Sequence, residues 1–239
     1  MALSVKVVKR LASLMIVVIA SYAGGLLLTE LENGTLNIWP KDLFEDTMRQ
    51  LAEVDPATHA ILSDHMEEAR AIIEAADETQ DWDASRKTIV AMVEKYSAPA
   101  LSGTNDAIVI VVAEKALNLV EVLSVHYQEG CVRFMEGSIS TPDFSISQVG
   151  KAYKIYSEAL RIAYIDGKSN KLGEKLPIEQ LGPILKERLG LTENDASALQ
   201  DPNGSEPRQL CDALKKFFNV KLVPPSQQGP YARTIIAGG

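Results

Sequence analysis

"NDAIVIVVAEKALNLVEVLSVHYQ", Asn105 to Gln128, decides how this chain is read. Ala107 to Ala113 is apolar on every side of a helix, and polarity returns at Glu114, Asn118 and Glu121 as one narrow stripe. A helix of that kind belongs at the centre of a bundle. Glu114 and Lys115 arrive after seven apolar residues, far short of the roughly 20 a membrane span needs, so burial in protein is expected.

The segments on either side each show one apolar face. Upstream, Asp42 to Val54 aligns Phe44, Met48, Leu51 and Ala52 just after Pro40. Asp55-Pro56 reads as an N-cap with a first-turn proline, opening a second helix through Leu62, Met66, Ala69, Ile73 and Ala76. A third is expected from about Asp83 to Tyr96, with Ile89, Val93 and Tyr96 inward. Downstream, Gly130 is expected to end the central helix, and Ser138 to Phe144 reads as a loop. Val149, Tyr153, Tyr156, Leu160 and Ala163 then mark a helix ending near Asp166-Gly167. Pro177 to Leu189 is expected to be helical with an interruption at Gly182-Pro183, stopped by Gly190. Thr192 and Asp195 stand at capping-box spacing, and Pro207 to Phe218 forms a last helix. No alternating run insists on a sheet, so the expected class is all-α: an irregular multi-helix bundle behind one N-terminal transmembrane or signal helix.

That N-terminal element rests on Leu11 to Leu28, 18 residues without a charge. At helical rise they span roughly 27 Å, barely the thickness of a bilayer core. Lys6, Lys9 and Arg10 precede the run while all 32 acidic residues follow it, which leaves −11 on the remainder. The positive-inside rule then keeps the N-terminus cytoplasmic and sends the body to the periplasm, with residues 11–28 in the lipid bilayer of the inner membrane. The alternatives are a signal peptide cut after Ser21-Tyr22-Ala23, releasing a soluble periplasmic body, and an N-terminal helix buried in the core. The continuing "GGLLL" favours retention. Residues 1–30 are thus a signal anchor or signal peptide, 31–222 an exported helical domain, and 223–239 an irregular C-terminal tail.

Cys131 and Cys211 are the only cysteines, and both fall in the part expected outside. An even count in an oxidising compartment favours one disulfide, with two buried free thiols as the competing reading. Cys131-Val132-Arg133-Phe134, together with Cys211 and Leu222-Val223-Pro224-Pro225, resembles a pattern in small exported helical proteins of proteobacteria. The likeness covers roughly the last 110 residues of the chain. It implies an exported setting and paired cysteines, and it supplies no active site.

Signatures of chemistry fail one by one. Gly167-Lys168-Ser169 lacks the upstream glycine of a phosphate-binding loop, because Ile162 stands there after a helix. "DGKSNKLGEKLP" starts like a calcium loop, but Lys168, Lys171 and Pro177 occupy positions that need a ligand, a glycine and a glutamate. His59, His65 and His126 are not spaced to share a metal, and His65 reads as a packing residue. Glu67, Glu68, Glu114 and Glu121 read as solvated or structural faces. Asn33 and Asn203 begin N-glycosylation triplets that in a bacterium are merely turns. No cofactor and no metal is expected, and an acidic body without a basic stripe argues against nucleic acid.

The expected function is therefore an envelope protein, anchored or secreted, acting through contact with other envelope proteins as a subunit or accessory of an assembly. The balance is against an enzyme. Arg133, Phe134, Phe217 and Phe218 are candidate contact residues, with burial beside the cysteines as the competing expectation. The alternatives are a periplasmic hydrolase of cell-wall glycan, recognisable by a cleft with a carboxyl of raised pKa, and a carrier of a small apolar ligand, which needs an apolar cavity among the helices.

Overall fold

Local side-chain chemistry sets several helix boundaries. The Asp55 carboxylate accepts from the Thr58 N–H at 3.3 Å and from the Thr58 hydroxyl at 2.7 Å, and Pro56 opens the first turn. At Thr192 the hydroxyl accepts from the Asp195 N–H at 3.1 Å while Asp195 accepts from the Thr192 N–H at 2.7 Å, a reciprocal capping box. Gly190 closes the stretch before it at φ +64°, where a side chain would be strained.

The computed structural model describes residues 43–79, 81–137, 139 and 141–238, and among these every regular element is helical. In chain order they are α1 (Leu43–Val54), α2 (Pro56–Asp64), α3 (Met66–Thr79), α4 (Trp82–Gly103), α5 (Asp106–His126) and α6 (Glu129–Glu136). There follow α7 (Ser147–Gly167), α8 (Ile178–Pro183), α9 (Glu193–Gln200), α10 (Pro207–Phe217) and α11 (Gln228–Ile236). The anchor or signal read at residues 11–28, with Asn33 and Pro40, lies outside the described residues. No described helix is long and apolar enough to cross a membrane.

Helix α5 is the axis. Its Val109, Val112, Ala113, Ala116, Leu119, Val120 and Leu123 are fully buried, and α7, α10 and α11 all pack on it. Helix α7 is the second axis, packing also on α2 and α4, with Val149, Tyr153, Tyr156, Leu160 and Ala163 inward. Where the ends of α4 and α7 meet, a Cβ on Gly167 would lie 1.7 Å from the Ala100 carbonyl oxygen, so only glycine allows that approach.

Five expectations are corrected. The helix expected through Met66 breaks at His65, whose N–H bonds the Leu62 carbonyl at 3.2 Å; its ring stacks on Tyr96 with centroids 3.4 Å apart, and Met66 turns outward. Helix α4 runs past Tyr96 and through Pro99, because Ala100 and Leu101 have core to enter and that burial outweighs one missing N–H. Gly130 does not end α5 but lies inside α6, pressed against Leu123 and Tyr127. Gly182-Pro183 does not interrupt its helix: α8 passes directly into a π-helical turn, Ile184–Arg188, in which the Leu189 N–H reaches the Ile184 carbonyl at 3.1 Å.

The fifth concerns the tail. Residues 223–239, expected to be irregular, contain α11, and its Tyr231, Ala232, Ile235 and Ile236 are fully buried. Pro230 stands in the first turn, where its missing N–H has no helical partner to lose. Burial of the apolar face overrides the poor propensity of Gly229 and Pro230.

Candidate functional site: an apolar groove between two helices

Ala107, Ile108, Val111 and Lys115 recur along α5 at intervals that place them on one face. Ile155, Glu158, Ala159 and Ile162 do the same on α7. The helices run antiparallel in a register held by two polar bonds: the Thr104 hydroxyl donates to the Ala163 carbonyl at 2.8 Å, and the Asn105 N–H donates to the Asp166 carboxylate at 2.8 Å. The two faces thereby meet as the walls of an open groove of about 720 Å³.

The groove is apolar in its body and charged at one end. Val111, Ile155 and Ile162 are 42%, 50% and 45% exposed and line one groove together, where single surface aliphatics would need no explanation, while Ala159 forms a buried floor. The register that sets Thr104 beside Ala163 carries Lys115 and Lys154 to the same end, opposite Ala107 and Ile162. Neither lysine makes an ion pair at contact distance among the described residues. Glu158 is held below the usual carboxylate range by the Arg161 guanidinium, which donates to it at 2.8 and 2.6 Å, and then by the charge of Lys154. The groove's carboxylate is thus kept ionised, the opposite of a general acid.

Elsewhere the candidate chemistry is consumed by structure. Cys131 on α6 and Cys211 on α10 form a disulfide with Cα atoms 5.4 Å apart, and both are buried. Neither sulfur is left as a thiolate nucleophile. Phe134, Phe217 and Phe218, offered as contact residues, are buried at 0%, 3% and 0% exposure. They pack edge to face beside the disulfide, Phe134 against Phe218 at 5.9 Å and against Tyr156 at 5.7 Å. The three aromatics take the competing expectation, burial beside the cysteines, and are not available as contact residues. Arg133 stays half exposed and pairs with Asp143 at 3.5 Å.

Asp55 is 2% exposed, and burial raises its pKa against the hydrogen bonds from Ser157, Thr58 and Tyr153. That resembles the tuning of a catalytic acid, but the group is enclosed and serves as the cap of α2. Glu68 accepts from the Tyr96 hydroxyl at 2.6 Å and from Lys95 at 3.3 Å, which lowers its pKa. Glu67 is exposed, as the sequence reading expects. No cluster of three or more potential metal ligands occurs among the described residues.

No family model, curated protein or solved structure matches the chain. The groove therefore has to be read from its own chemistry. Sequence reasoning missed it because α5 looked apolar all round and was expected to be covered on every side. One signal was present: Ile155, Ile162 and Ile165 lie off the inward stripe of α7, on the face that a solvated helix would make polar.

Proposed function

We propose that this chain is a non-catalytic binding module of the bacterial envelope, held by residues 11–28 or released beyond them, and that it works by docking an apolar partner in the groove between α5 and α7. The observation that carries the reading is the pair of aliphatic helix faces left uncovered beside the buried core. The oriented apolar segment and the exported-protein pattern around Cys131 and Cys211 support the setting.

Two kinds of partner suit the groove. A ridge of another envelope protein would make the chain an accessory of an assembly. A small apolar ligand would make it a carrier, and the groove's volume of about 720 Å³ falls in the range of ligand sites. A glycan hydrolase finds less support, since Glu158 is the one carboxylate among the groove's lining residues and the reaction needs a pair.

The test has two arms. A reporter enzyme that works only outside the cytoplasm, fused after Gly239, should be active. A photo-crosslinking residue at Ile155 should capture a partner or ligand in cells, whereas the same group at the exposed Leu172 should not. An inactive exported reporter overturns the setting, and equal labelling from both positions overturns the groove.

A further inference from the structure

We propose that the groove takes a single-chain amphiphile with an anionic head, namely a free aliphatic carboxylate, its tail along Val111, Ile155 and Ile162 and its head at Lys115 and Lys154. The inference rests on the small-ligand reading above and adds a direction to it. Along α5 the walls run from Ala107 to Lys115, about 12 Å at helical rise. That length admits little more than two turns of a partner helix, which would bring its own polar ends, whereas an alkyl chain brings no backbone groups to satisfy.

The polarity comes from charge placement. The body is acidic, yet this end of the groove carries Lys115 and Lys154, and the carboxylate that lines the groove, Glu158, is paired with Arg161. Glu158 is already engaged by Arg161, and the other acid beside Lys115, Glu114, is drawn to Lys221 at 3.4 Å. What remains to meet a head group, among the described residues, is two ammonium ions without an ion pair at contact distance, Lys115 and a Lys154 that feels Glu158 only through its charge, at the mouth of an apolar trough. An anion there gains both attraction and charge-assisted hydrogen bonds. A cation meets a local surplus of its own sign.

The experiment uses the full chain in nanodiscs of neutral phosphatidylcholine and a diazirine-bearing twelve-carbon carboxylate as the photolabel, with labelled residues read by mass spectrometry. Label is expected on residues 107–111 and 155–162, and Ile155→Asp should abolish it. Dodecanoate should compete at a concentration at least tenfold lower than dodecyltrimethylammonium. The double variant Lys115→Glu, Lys154→Glu should reverse that order while melting like the parent. Equal competition by the two detergent-like ions overturns the head-group assignment and leaves the groove reading standing. Label that survives Ile155→Asp overturns the groove reading itself. Competition by phosphatidylglycerol nanodiscs as strong as that by dodecanoate overturns the choice of a free carboxylate in favour of a lipid surface.

Discussion

The Ser157 hydroxyl donates to the carboxylate of Asp55, 102 residues earlier in the chain. The same oxygen accepts the Ala57 N–H at 3.0 Å, so one side chain of α7 completes the N-terminus of α2 and joins the two helices. Because burial raises the folded-state pKa of Asp55, the stability this group supplies is fully present below the ordinary carboxylate range and is lost as pH rises through the raised value. Asp55→Asn keeps an acceptor for Thr58 and has no charge to bury. Its stability relative to the parent should therefore improve between about pH 4 and about pH 7, measured from urea midpoints. A gap constant over that interval would show that the carboxyl does not titrate differently on folding. Asp55→Ala removes the cap and should cost about 1 to 2 kcal/mol.

The disulfide links residues 80 apart and ties α6 to α10. On the chain-entropy account a loop of that length contributes about 4.5 kcal/mol. Replacing both cysteines with serine should lower the unfolding free energy by about that amount in urea. Alkylation of unreduced, denatured protein should leave both thiols protected, and two freely alkylated cysteines would contradict the bridge.

Arg233, 2% exposed, donates to the Glu174 and Thr104 carbonyls, each at 2.6 Å, and to Asp106 at 2.5 Å, holding α11 against the start of α5. A Cβ on Gly173 would lie 2.3 Å from the guanidinium carbon. Arg233→Met orphans two carbonyls and should cost about 3 kcal/mol by thermal unfolding, with Gly173→Ala about 2. Asp106→Asn should cost much less, since that carboxylate is 59% exposed and water replaces the lost contact. Equal losses from Arg233→Met and Asp106→Asn would mean that the ion pair, not the carbonyls, does the holding.

Ile235 and Ile155 are the same residue in opposite roles. Ile235 is fully buried on α11, and its replacement by alanine should cost about 2 to 5 kcal/mol. Ile155 is half exposed in the groove, and Ile155→Ala should change stability by about 0.5 kcal/mol. Deletion of residues 228–239 should abolish cooperative unfolding followed by circular dichroism. A truncated chain that melts like the parent would show α11 to be an appendage.

Much of the fold was legible because it is written locally. The Asp55-Pro56 cap, the Thr192 and Asp195 box and the stop at Gly190 each involve residues within four positions of one another, and the inward stripe of α7 is a periodicity of one helix. Helix α11 and the run through Pro99 were not legible. There local preference and burial disagree, and the gain from burial depends on surfaces contributed by distant parts of the chain.

The sequence by itself determined the helical class, the paired cysteines as a candidate bridge and an apolar axis at Ala107 to Ala113. Tertiary structure alone decided which side of that axis stays uncovered and that two lysines 39 residues apart share one end of the gap. The physical reason is that apolarity belongs to a residue, whereas exposure belongs to its neighbours: a stretch greasy on every side says that it seeks cover, not whether the rest of the chain provides it.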